Sequence, residues 1–219
     1  MGFFDRFRRK TPDPDETIVE ATWSAMEQRM QAAGFESDSK VINLLIPPFG
    51  GVPLNVHICR RASAFPIIAL HTTGMSYRAM KPPRMHRERT HAELVMFLPR
   101  HWKPFEEDPK WGWPAQLLLY LAQYPHMEGH WVDTGHIVHI EQPPGTDFVA
   151  AFMVPPFDLD NSPDCDDSVR TDDGRDISIL AVFPINSEEL DFYREQGAMA
   201  LLERAVPSMK CVPGRPSLV

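Results

Sequence analysis

Proline interrupts this chain so often that long uninterrupted helices cannot be its main building material. There are 22 prolines in 219 residues, about twice the usual share. Each removes a backbone donor and crowds the preceding helical turn. Sheet edges, turns and irregular connections tolerate that composition, and an all-helical bundle does not. The length suits one large domain, and a chain of this size buries roughly 70% of its unfolded surface. With 43% hydrophobic and 24% charged residues, it can build a core without covalent staples.

Apolar periodicity between the prolines locates the elements. Asp13 and Pro14 make a helix start, Val19, Trp23, Met26, Met30 and Ala33 recur at helical spacing, and Gly34 supplies the stop. Strands are expected over 42–45, 54–59, 66–72 and 92–98, with Pro47-Pro48 and Gly50-Gly51 marking loops. Trp113-Pro114 opens a second helix whose body, 115–122, is apolar all round and therefore buried on several sides. Further strands are read over 137–141, 148–154 and 177–184. Asn186 with Glu189 forms a capping box for a last helix running to about 206, with a break at Gly197. Strands outnumber helices without a regular alternation. The fold class is therefore α/β in the α+β sense, a mixed β-sheet with helices packed against it. The organisation expected is a basic, aromatic arm over 1–12, a single domain over 13–206 and a loose proline-rich tail over 207–219.

One strand carries the most information. In His91-Ala-Glu-Leu-Val-Met-Phe-Leu-Pro99, alternation places His91, Glu93, Val95 and Phe97 on one face and Ala92, Leu94, Met96 and Leu98 on the other, which is read as core. A histidine and a glutamate thus share one side of a strand that ends at a proline.

The order of Thr72-Thr73-Gly74-Met75-Ser76, then His91-x-Glu93-Leu94-x-Met96-x-Leu98-Pro99, Trp102, Trp113-Pro114 and Gly135-His136 resembles the suppressor-of-fused domain. The likeness continues through 151–156, Pro184-Ile185 and Glu188-Glu189-Leu190, and spans about 42–202. It implies an α/β domain that binds another protein and catalyses nothing. For a bacterial member it implies an immunity protein, or antitoxin, directed against a secreted toxin. In the animal relative a second domain helps to clamp a peptide, a partner this chain is not expected to share.

The residues themselves offer little catalytic chemistry. His126 and His130 stand four apart, but Pro125 and Gly129 argue against a helix there, and His136 and His139 would face opposite sides of a strand. No HExxH is present. The alternative function is a metal-dependent hydrolase, with His91, Glu93 and His136 gathered across strands as ligands. The favoured reading makes those histidines hydrogen-bonding scaffold. Ser76 lacks the GxSxG elbow, and Thr72-Thr73-Gly74 lacks the lysine of a phosphate loop, so Gly74 is read as a strand-exit turn. Asp158-x-Asp160 begins like a calcium loop, but Pro163 and Val169 occupy positions that need glycine and glutamate. No catalytic residue, cofactor or metal is assigned.

Charge points to a protein partner. The net charge of −8 disfavours a nucleic-acid binder, which needs clustered Lys and Arg. From 158 to 176, eight aspartates less two arginines leave −6. Asp164, Asp166, Asp167, Asp172 and Asp173 are the candidate contacts for a basic partner, and Trp111 is the aromatic candidate. It sits in an expected loop with Trp102, Phe105 and Trp113, of which Trp102 and Trp113 are read as core. Cys59, Cys165 and Cys211 show no pairing pattern, and no apolar run spans a bilayer, so a reducing cytoplasm with no stable membrane insertion is expected. The 1–12 arm is too short for firm membrane binding.

Overall fold

The structure is a computed structural model that describes residues 16–43, 54–61, 67–156, 167–205 and 215–219. The arm over 1–12, the Asp13-Pro14 helix start, the loops over 47–51 and most of the proline-rich tail lie outside those residues. So do Asp158, Asp160, Asp164 and Asp166.

Among the described residues eight strands form one mixed sheet. They are β1 (Glu36–Asn43), β2 (Asn55–Arg61), β3 (Ile67–Thr73), β4 (His91–Pro99), β5 (Ile137–His139), β6 (Ala150–Val154), β7 (Ser168–Arg170) and β8 (Asp176–Ile185). The order is β1-β2-β3-β4-β8-β6-β5, with β7 also pairing to β8. Strands β1 to β4 run as an antiparallel meander, and β4 meets β8 in parallel, with His91 opposite Ile177 and Val95 opposite Ala181. Along its free side β8 is shared, its first residues pairing with β7 and its last with β6. The mixed sheet with packed helices is as expected. The polar β7 and the first six residues of β1, Glu36–Val41, went unforeseen because neither has an apolar alternation.

Among the described residues four helices pack with the sheet: α1 (Glu16–Ala32), α2 (Pro109–Glu128), α3 (Ser187–Gln196) and α4 (Ala198–Ala205). In α1 the buried positions include Thr22, Met26 and Met30, a four-residue repeat, whereas Trp23 is exposed instead of packed. Helix α2 starts four residues before the expected Trp113-Pro114, because Asp108 caps it through Lys110 N and Pro109 fits the first turn. It also runs through Pro125 to Glu128 before Gly129 ends it in a left-handed conformation. Pro125 therefore does not stop the helix as expected, whereas Gly129 does end it before His130. One lost hydrogen bond near a helix end is tolerated when apolar side chains such as Leu118, Leu121 and Ala122 are fully packed. Asn186 and Glu189 form the capping box of α3, and Gly197 separates α3 from α4.

The core follows from β4's central place between β3 and β8. From Ala92 to Pro99 every residue is buried, so the strand has no solvent face, and the split into a polar side and a core side does not hold. Phe35, just beyond α1, stacks on Phe97 with ring centroids 6.1 Å apart, and α2 packs on β2, β3 and β4. A strand covered on both faces must bury whatever polar groups it carries, and for β4 that group is Glu93.

Candidate functional site

Strand β3 leaves the sheet at Thr73, and the chain turns back through Gly74 into a single 3-10 turn at Met75–Tyr77. Gly74 has φ 121°, a conformation that side chains other than glycine resist. Glu93 reaches beneath this turn and is completely buried. One carboxyl oxygen accepts from Gly74 N (2.9 Å), Ser76 N (3.0 Å) and Ser76 Oγ (2.7 Å), and the other lies 2.6 Å from Thr72 Oγ1. Thr72 Oγ1 in turn accepts from Leu94 N at 2.8 Å. Burial pushes the Glu93 acid upward, while the donors from Thr72, Ser76 and Gly74 pull the other way. The net direction is up.

The turn is also held from outside. Arg175, in the β7–β8 hairpin, donates from Nη1 to the Ser76 carbonyl (3.0 Å) and from Nη2 to Ile18 O (3.1 Å) and Thr22 Oγ1 (3.0 Å) of α1. Its Nε pairs with Asp173 at 2.7 Å. His126 of α2 donates from Nε2 to the Met75 carbonyl at 2.9 Å. Burial holds His126 below its ordinary value, so it serves as a neutral donor.

This geometry does not bring the residues of the metal-site alternative together. His91 Nδ1 lies 2.9 Å from Thr90 Oγ1 and makes no bond to Glu93, whose acceptors are taken up by the turn. His136 packs edge-on against Trp131, centroids 4.8 Å apart, and its carbonyl accepts from Met153 N at 2.8 Å. Among the described residues no three His, Cys, Asp or Glu side chains gather as a metal would require. His91 and Glu93 bond to separate groups, His91 to Thr90 and Glu93 to the turn and Thr72. A groove of about 530 Å³ is lined by Trp113, Gln116, Leu117, Tyr120, Ile140 and Pro143 among others, and none of the three proposed ligands borders it.

Sequence reasoning missed a second polar cluster. His57 and His71 face each other across β2 and β3 and stack with centroids 4.9 Å apart, and His57 Nε2 lies 2.8 Å from Thr73 Oγ1. Burial lowers His57 to about 4 and His71 to about 3, so both are neutral near pH 7. The available signal was the register of two adjacent strands, which places both imidazoles on one face.

The remaining motif residues sit at element ends. Trp102 N donates to the Pro99 carbonyl where β4 ends (2.9 Å), and its indole Nε1 donates to Trp111 O (2.9 Å). Trp102 packs edge-on against both Trp111 and Trp113, and Trp113 continues to Phe148. Trp102 and Trp113 are buried. Trp111 lies in the first turns of α2, half-buried, so the expected exposed loop is a helix start. Gly135 N donates to Met153 O, which ties the Gly135-His136 turn to β6. Among the described aspartates, Asp167 pairs with Arg89 at 3.5 Å, Asp173 with Arg175, and Asp176 with Arg170 at 2.8 Å. Asp172 is exposed, with no ion pair among the described residues.

The fold is thus one mixed sheet whose buried polar side chains bond to its own turns. The chain belongs to the suppressor of fused protein (SUFU) family, whose model matches residues 50–211. Solved structures show the same fold. The chain resembles the Sufu protein of a Sufu–Fu complex with a TM-score of 0.66 at 12% identity, covering 91% of each chain. It resembles Drosophila Suppressor of Fused with a TM-score of 0.63 at 14% identity, covering 92% of this chain and 51% of that one. A putative SUFU homologue from Neisseria gonorrhoeae matches at TM-score 0.61 and 13% identity, covering 94% and 98%. No curated protein matches the chain by sequence.

Proposed function

We propose that this domain is a non-enzymatic protein-binding module and, more finely, an immunity protein that neutralises a partner toxin in the cytoplasm. The observation that carries the first part is the Glu93 site. The Glu93 carboxyl is sealed in the core and engaged by four donors, three from the Gly74–Ser76 turn and one from Thr72 of β3. Membership of the SUFU family, one of whose solved members is in complex with Fu, supports the same reading.

The acidic segment supports the second part. A net −6 over 158–176 complements the basic clefts of toxins that cut nucleic acid, and it would speed association by steering. Ion pairs to Arg89, Arg175 and Arg170 tie down Asp167, Asp173 and Asp176. Asp172 is exposed and has no ion pair among the described residues, and with Asp164 and Asp166 it is the part of the acidic segment to test for steering. The test is affinity capture of the partner from the native host, then surface plasmon resonance at two salt concentrations. Changing Asp164, Asp166 and Asp172 together to Asn is expected to slow association about tenfold and flatten its salt dependence. Unchanged association would remove the acidic segment from the reading, and capture of no polypeptide would remove the protein-binding reading itself.

A further inference from the structure

The segment 215–219, Arg-Pro-Ser-Leu-Val, occupies a built site on the domain. The Arg215 guanidinium meets the Glu189 carboxylate with two parallel bonds, Nη1 to Oε1 at 2.5 Å and Nη2 to Oε2 at 2.7 Å. Nη2 also donates to the Pro184 carbonyl at 3.0 Å. The guanidinium carbon lies over two rings, 4.7 Å from the Phe183 centroid and 5.6 Å from that of Phe148. Leu218 N donates to Glu189 Oε1 at 3.0 Å, and Arg204 of α4 donates to the Leu218 carbonyl at 3.1 Å. The side chains of Arg215 and Glu189 are 6% and 0% exposed, so the pair is desolvated on both sides.

Every wall of this site is fixed without Arg215. Asn186 N holds the Glu189 carboxylate (3.0 Å), and Glu189 N returns a bond to the Asn186 side chain, as the capping box of α3 requires. Phe183 and the Pro184 carbonyl belong to β8, and Phe148 is a fully packed core side chain. Without the segment, the Glu189 carboxylate would lose its cation and keep the Asn186 amide, beside the faces of Phe183 and Phe148. That is a strong demand for a planar cation. Lysine would not meet it, because a point charge cannot make two parallel bonds and stack at once. The contacts come from Arg215 and Leu218, three residues apart as in a short linear peptide, and nine residues, including Pro207, Pro213 and Gly214, separate Arg215 from the end of α4.

We propose that the Glu189–Phe183–Phe148 site is an arginine-recognition cleft, that 215–219 is its resident intramolecular ligand, and that an extended partner peptide bearing arginine followed by a short apolar stretch exchanges with it. The inference does not depend on the toxin-neutralising reading.

The experiment uses the full chain and its Arg215→Ala variant, titrated calorimetrically with a blocked Arg-Pro-Ser-Leu-Val peptide and its Lys-Pro-Ser-Leu-Val counterpart. The variant is expected to bind the arginine peptide at least tenfold more tightly than the lysine peptide. It should also bind at least a hundredfold more tightly than the parent, where the tethered segment competes at high effective concentration. Adding Glu189→Gln should abolish binding. A folded Arg215→Ala chain that ignores the peptide, or does not discriminate between the two, overturns the proposal. So does a parent that binds as well as the variant. If Arg215→Ala does not fold, the segment is a fixed staple and the proposal also fails.

Discussion

Replacing Glu93 by Ala and by Gln separates a structural carboxyl from a reactive one. In Glu93→Ala the hydroxyls of Thr72 and Ser76 can rotate toward other acceptors, but the amides of Gly74 and Ser76 cannot. Each buried amide left without a partner costs about 1–3 kcal/mol, and the vacated volume adds to that. The expected loss is about 4 kcal/mol, or about 8–16 °C of melting temperature for a domain of this size. In Glu93→Gln the amide oxygen keeps the three bonds made by Oε1, and the amide nitrogen donates to Thr72 Oγ1. Glutamine mimics the protonated acid, the form that burial favours. That variant should therefore lie within about 1 kcal/mol of the parent at pH 7. Because the folded Glu93 value is raised, its contribution is full below the unfolded value of 4.5 and is lost as pH rises through the folded one. The parent should accordingly gain on Glu93→Gln in acid. Urea midpoints at several pH values supply the measurement. Equal losses in Ala and Gln, or a loss in Ala below about 1 kcal/mol, would refute the bonding account.

The His57–His71 stack predicts acid sensitivity. With folded values of about 4 and about 3 against an ordinary 6.5, stability is full above pH 6.5 and falls as acid protonates the unfolded chain first. The slope is about 1.4 kcal/mol per pH unit for each proton of difference, and His71→Gln should flatten the profile of urea midpoints between pH 6.5 and 4. Removing Arg175 breaks its links to Ser76 O, Ile18 O and Thr22 Oγ1. Arg175→Ala should cost about 2–4 kcal/mol, with hydrogen exchange rising first in α1. Asn186→Ala removes one half of the α3 capping box and should cost about 1 kcal/mol in thermal unfolding.

Where the sequence wrote structure as periodicity, the fold was legible. The β2, β3 and β4 runs, the Asn186 capping box and the Gly197 break all appear where the residues put them, although both faces of β4 are buried. Polar elements were not legible. Glu36–Val41 and Ser168–Arg170 become strands because neighbouring strands offer them hydrogen bonds, and a lone segment cannot announce its partner. The α2 start was misplaced because two prolines compete for the first turn, and Asp108 decides in favour of Pro109. At the candidate site, the sequence marked Thr72–Ser76 and Glu93 as separate signals. What joins them is a contact across 17 to 21 residues, visible only once β3 and β4 pair. The Arg215–Glu189 pair, 26 residues apart, had no local signal at all.

The central claim is that the buried polar side chains hold a binding surface in shape and do no chemistry. Quantitative affinity capture from the native host, with the parent and Glu93→Gln as parallel baits, tests it most directly. The account predicts one polypeptide recovered in equal stoichiometric yield by both baits. No polypeptide partner, or a partner lost from a folded Glu93→Gln bait, would contradict it.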